Sequence, residues 1–354
     1  RDDPPATADA PVVSRLRAAG ATLTGRTNMT EFAFSGIGLN PHYGTPANPY
    51  DRETGRVPGG SSSGAAISVT DGTALAAIGT DTGGSVRIPS ALCGLTGFKP
   101  TARRVPTDRC YPLSWTLDSV GPLGQSAADC ALLDRILAGL PAEIPAAYPA
   151  KGLRLGVVRD LLFDDVEDVI LQAFERALSR LSAAGAVIFE VSIPELKDLP
   201  SINANGGIAS AEAYHIHREH FERRTNELDR RVAKRVGLGR SQSANDYMTH
   251  FDERRRLQAA ADHASAPLDA LLAPTTARIA PPIAELEASD DVFFQYNGLM
   301  LRNPSTFNFL DRCAFSIPIQ DPGEAPIGLM IVGETMGDDH LLSIGQGIEA
   351  ALRS

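Results

Sequence analysis

Two serine-rich segments carry the residue types of acyl-transfer chemistry. One is Pro58-Gly59-Gly60-Ser61-Ser62-Ser63-Gly64-Ala65; the other is Gly79-Thr80-Asp81-Thr82-Gly83-Gly84-Ser85-Val86-Arg87-Ile88-Pro89. A serine hydroxyl attacks a carbonyl well only when a base takes its proton. A second hydroxyl can relay that proton, because it both donates and accepts. Gly83 and Gly84 have no Cβ, so backbone can approach a ligand closely there. N–H groups at a helix start can then face a developing oxyanion, and Ser85 comes next in line. Each segment alone also has an ordinary reading. A Gly/Ser run makes a flexible linker, and a serine after glycines makes a tight turn with a helix cap. Against the linker stands the apolar run Ala65, Ala66, Ile67 and Val69, which follows at once.

These segments need elements to hold them. The pattern predicts a helix from Val12 to Ala19, with Asp9 as N-cap, Pro11 in its first turn and Gly20 as its stop. A short strand is expected over residues 21–25 and a long loop over 38–60. Residues 65–69 read as a buried helical turn and 75–78 as a buried strand. A short helical pattern follows Ser85, and residues 127–137 form a helix. The clearest helix places Val166, Val169, Ile170, Ala173, Phe174, Ala177, Leu178 and Leu181 on one face, with Asp164 or Asp165 as cap and Gly185 as end. Strands are expected at 153–158, 187–191, 268–273, 314–318 and 328–332. Residues 207–264 read as mostly helical and 341–352 as a closing helix. Helices alternating with short apolar strands define an α/β class. The chain reads as one domain, 1–354, with a helical excursion at about 200–265.

Composition narrows the partners. The 354 residues carry 33 Lys plus Arg against 43 Asp plus Glu, a net charge of −10. No basic block stands out except Arg254-Arg255-Arg256, so nucleic acid is not an expected partner. No run of apolar residues is long enough to span a membrane. Cys93, Cys110, Cys130 and Cys313 form no C-x-x-C pair, which argues against zinc and for free thiols in a reducing compartment, hence the cytoplasm. His215, His217 and His220 cluster in a predicted helix, but a charged surface face explains them better than a metal site. Residues 1–11 read as loop from within a protein, and the chain is read as lacking its N-terminal part.

The stretch 58–101, which closes with Cys93-Gly94-Leu95-Thr96-Gly97-Phe98-Lys99-Pro100-Thr101, resembles the amidase signature. Gly25-Arg26-Thr27-Asn28-Met29-Thr30-Glu31-Phe32-Ala33 and Asp118-Ser119-Val120-Gly121-Pro122-Leu123 are similar to its flanks. Phe307-Asn308, Ile317-Pro318 and Pro326-Ile327-Gly328-Leu329 are similar to its closing segments. The resemblance implies the amidase-signature fold, a central mixed β-sheet covered by helices on both faces. It implies amide hydrolysis by a Ser–Ser–Lys triad, with no cofactor and no metal.

By position, Ser85 is then the nucleophile. Ser61, 24 residues earlier, is the bridging serine after a cis Gly60–Ser61 peptide. Thr82, Gly83 and Gly84 provide the oxyanion hole. Asp81 and Arg87 support the segment, while Arg302 and Tyr296 are candidate substrate contacts. The third member is a lysine upstream of Ser61, whereas Lys99, Lys151, Lys197 and Lys234 all lie downstream. The expected substrate is a small amide, and a homodimer is the one homomeric assembly considered. Two rival readings stay open: a glutamine-hydrolysing subunit of a tRNA-dependent amidotransferase, and an esterase whose G-x-S-x-G elbow centres on Ser62.

Overall fold

The structure is a computed structural model that describes residues 6–353. The loop expected at 1–11 therefore lies partly outside the described residues. Eight strands form one mixed sheet: β1 Ala77–Asp81, β2 Thr96–Lys99, β3 Ser119–Gly124, β4 Arg154–Val158, β5 Val187–Val191, β6 Ala270–Pro274, β7 Ala314–Pro318 and β8 Gly328–Val332. Their spatial order is β1-β3-β2-β7-β8-β6-β4-β5. β4 runs parallel to β5 and β6, and every other pair is antiparallel.

Among the described residues twelve α-helices surround the sheet. The first four are α1 Pro11–Ala18, α2 Ser63–Thr70, α3 Arg87–Cys93 and α4 Ala127–Ala138. The next four are α5 Asp168–Ala183, α6 Leu199–Ile202, α7 Gly207–Arg224 and α8 Arg230–Arg240. The last are α9 Ala244–Ser265, α10 Ile283–Ala288, α11 Asp290–Phe309 and α12 Asp338–Arg353.

The central strands are buried on both faces, and their period of two assigns each side chain to a layer. Leu272, Phe315, Ile317, Leu329 and Ile331 face a core built with α4, α5 and α12. Leu271, Ala273, Ala314, Met330 and Val332 face the opposite core, built with α7, α9 and the end of α11. Local chemistry sets several helix ends. The Ser126 hydroxyl accepts from the Asp129 N–H at the start of α4, and Ser243 with Asp246 forms a capping box on α9.

Several expectations need correction. Residues 21–25 form no strand; among the described residues no neighbouring strand pairs with them. The strand expected at 75–78 is β1, displaced by two residues, because Leu75 sits on a turn and is 94% exposed. Ala10, not Asp9, caps α1, and Asp9 pairs instead with Arg17 at 3.0 Å. Glu167, not Asp164 or Asp165, occupies the N-cap of α5, without a side-chain cap. α11 contains Pro304, a residue that ordinarily ends a helix.

These assignments separate two apolar substitutions by cost. Phe315→Ala opens the core between β7 and α12 and should cost roughly 3–5 kcal/mol. Leu75→Ser should change stability by no more than about 0.5 kcal/mol. Urea unfolding of both variants measures the difference, and a large loss at Leu75 would contradict the observed start of β1.

Candidate active site

The C-terminal end of β1 delivers Asp81 into the protein interior, where Asp81 and Arg87 are both 0% exposed. Asp81 accepts from the Gly84 N–H at 2.7 Å and from the Val86 N–H at 3.2 Å. Arg87 donates to it through Nε and Nη2, both at 3.0 Å. Asn308, near the end of α11, donates to Asp81 at 2.9 Å and accepts from Arg87 at 2.6 Å. Burial alone would raise the Asp81 carboxyl, but Arg87, Lys99 and Asn308 outweigh it and hold it at about 2. The loop 82–86 is thereby wrapped around one carboxylate.

The two serine segments meet directly. The Ser62 N–H donates to the Ser85 carbonyl at 3.3 Å. The Gly60–Ser61 peptide is cis. Ser61 is fully buried, its carbonyl accepts from Thr30 and Ser63, and its hydroxyl has no hydrogen-bond partner among the described residues. Gly60 donates to the Gly36 carbonyl at 2.8 Å. Glycine is required on both sides of this approach, since a Cβ on Gly38 would lie 2.3 Å from the Gly59 carbonyl oxygen. Ser62, the rival elbow serine, turns its hydroxyl to the Thr80 carbonyl at 3.4 Å.

Thr82, Gly83 and Ser85 line a cavity of about 660 Å³. The Thr82 hydroxyl donates to Asp118 at 2.5 Å, and Asp118 also accepts from the N–H groups of Leu113 and Ser114. Of the three residues expected to form the oxyanion hole, Gly84 is displaced from that role. Its φ of +126° turns its N–H inward to Asp81, and a Cβ there would strike Pro304 at 2.6 Å. The N–H groups of Thr82, Gly83 and Ser85 make no hydrogen bond among the described residues.

The proposed substrate contacts fall differently. Arg302 lines the cavity, but its donors go to the carbonyls of Leu162 and Asp164 and to Asn303. Tyr296 is on another face of α11, packed with the cluster around Ile37 and Ile88. Burial first, and then Glu285 and Glu167, raise its phenol pKa. Lys99 is buried in β2 and donates to the Pro100 carbonyl at 2.6 Å. The histidines do not converge: His217 stacks on Phe32 at 4.2 Å and lies 5.3 Å from Tyr111, and His215 meets the edge of Trp115. Two further residues belong to the site. Asn297 accepts from the Ser35 hydroxyl and the Gly36 N–H, both at 2.9 Å. Arg235 of α8 lines the cavity beside Phe34. Its spacing within a charged helix reads as a solvated face.

Comparison with known proteins identifies the family. The Amidase family profile matches residues 1–342. The chain is 36% identical to 2-amino-5-chloromuconic acid deaminase of Comamonas testosteroni, over 97% of this chain and 74% of that protein. It is 33% identical to indoleacetamide hydrolase of Rhizobium radiobacter, over 96% of this chain and 76% of that protein. A crystal structure of an amidase superposes with a TM-score of 0.87 at 32% identity, covering 98% of this chain and 78% of that one. The chain belongs to the Amidase family and is an amidohydrolase.

Asp81→Asn removes the charge opposite Arg87 and should destabilise the fold by roughly 3–5 kcal/mol, read by urea unfolding at pH 7. The Asp81 pKa of about 2 lies below that of a free aspartate, about 3.9. Its contribution is therefore complete above about pH 4 and is lost as pH falls toward 2. Acid titration of stability should show this loss in the wild type and not in Asp81→Asn.

Proposed function

We propose that this amidohydrolase works through an acyl-enzyme on Ser85, splitting a small amide into a carboxylate and ammonia or an amine. The Ser85 hydroxyl attacks the amide carbon while its proton passes to Ser61. The N–H groups of Thr82, Gly83 and Ser85 hold the oxyanion. Collapse of the tetrahedral intermediate breaks the C–N bond, the leaving nitrogen takes the proton back, and water then hydrolyses the Ser85 ester. On this reading the base beyond Ser61 is a lysine made effective by burial.

The observation that carries the reading is the pairing of a cavity-lining Ser85 with a buried, unpartnered Ser61 hydroxyl one hydrogen-bonded segment away. A cavity of about 660 Å³ suits a small molecule, as do the small compounds in the names of the two relatives. The same reading takes residues 1–354 as belonging to a single amidase-signature domain, acting in the cytoplasm as a homodimer. Four free cysteines, three of them buried, support the reducing location.

Ser85→Ala should lower kcat by roughly 10⁴-fold or more, with an unchanged urea midpoint. Ser61→Ala should lower it by roughly 10²- to 10⁴-fold. Ammonia release from a panel of small amides measures both. Activity that survives in Ser85→Ala would end the proposal. Release that requires a second subunit would favour the amidotransferase reading.

A further inference from the structure

The charge on the walls of the cavity is opposite to that of the protein. The chain has 43 Asp plus Glu against 33 Lys plus Arg, yet the described residues lining the cavity include Arg235 and Arg302 and no Asp or Glu. The two arginines differ in what they already hold. Arg302 is committed to Leu162, Asp164 and Asn303. Arg235 makes one hydrogen bond among those of the described residues, from Nη1 to the Phe34 carbonyl at 2.7 Å.

Among the described residues Arg235 has no acidic partner, unlike the other arginines of α8. Arg230 and Arg231 pair with Asp290, and Arg240 pairs with Glu222. Arg235 instead sits over the Phe34 ring, with Cζ 3.9 Å from its centroid. Ring contact and the bond to the Phe34 carbonyl restrain the guanidinium, and its remaining donors suit capture of a carboxylate. Burial, with no anion to offset it, lowers its pKa to about 10, so it remains a cation at neutral pH.

The same loop ties this charge to the serines. After Phe34, Ser35 and Gly36 bond to Asn297, and the Gly36 carbonyl accepts from Gly60. The guanidinium and the cis Gly60–Ser61 segment are thus held by one short stretch of chain. Between them the walls are apolar, with Leu113, Leu117, Ile208 and Phe309.

Resting on the amidohydrolase reading above, we propose that Arg235 determines specificity by binding a carboxylate at the end of the substrate away from the scissile amide. The substrate class is then the monoamide of a small dicarboxylic acid. A half-buried cation without a counter-charge is less well solvated than one in water, and an anionic ligand relieves that cost where a neutral one of the same shape does not. Arg235 touches the carboxylate and not the reacting atoms, so its effect belongs mainly in KM.

The test compares malonamate, succinamate and glutaramate with their neutral diamides at pH 7, in wild type, Arg235→Lys and Arg235→Gln. Wild type should prefer at least one acid amide over its diamide by about 30-fold or more in kcat/KM. The ratio should fall toward one in Arg235→Gln, mostly through KM, and recover in part in Arg235→Lys. Calorimetric binding of the same six compounds to Ser85→Ala, with and without Arg235→Gln, reads the contact without turnover. Binding of acid amides that Arg235→Gln abolishes would support the proposal even if no amide were hydrolysed, a result that would sink the amidohydrolase mechanism instead. A wild type indifferent to the acid, or equal losses for acids and diamides in Arg235→Gln, would overturn it.

Discussion

The Asp81–Arg87 pair is the constraint on which the site depends. It joins four pieces of chain: the end of β1, the loop carrying Ser85, the start of α3 and, through Asn308, the end of α11. A fully buried ion pair is not stabilising merely by existing, since desolvation of both charges opposes it. Here both carboxylate oxygens of Asp81 and all three guanidinium nitrogens of Arg87 have partners. Asp81 accepts from backbone and side chains, and Arg87 also reaches Asn308 and the Met330 sulfur. The outcome is geometric: Gly84 is turned inward, and Ser85 is left at the cavity wall.

A second layer of contacts holds the other side of the cavity. Asp118 joins Thr82 to the 113–114 backbone. Glu212 of α7 accepts from Ser114, from Thr116 and from Tyr247 of α9. The helices that the sequence placed in a charged excursion therefore frame the cavity. Their polar residues divide into those that brace loops, such as Glu212, and Arg235, which is unpaired and faces the cavity.

Much of this was legible in the sequence, for identifiable reasons. Val187–Val191, Ala314–Pro318 and Gly328–Val332 are apolar runs bounded by turn residues, and they are strands as expected. From Ile170 to Leu181 the apolar stripe of α5 is buried as its spacing required, while Val166 precedes the helix. What escaped was written in tertiary contacts. No strand was expected at β3, which contains Gly121 and Pro122; a Cβ on Gly121 would lie 2.1 Å from the Phe98 carbonyl oxygen, so the close crossing of β2 demands glycine. No helix was expected over 290–309, where Pro304 packs under Gly84 within α11. The seat of Gly84's N–H and the isolation of Arg235 have no signature in spacing, because each depends on a residue distant in the chain or on the lack of one.

The central claim is that Ser85, and not its neighbour Ser62 in the other serine segment, forms the covalent bond. Its most direct test is to trap the enzyme with a fluorophosphonate or a slowly turned-over amide, digest it and locate the added mass. The account predicts an adduct on the peptide that contains Ser85, assigned to that hydroxyl by fragmentation and absent from Ser85→Ala. An adduct on Ser62, or one that persists in Ser85→Ala, would contradict it.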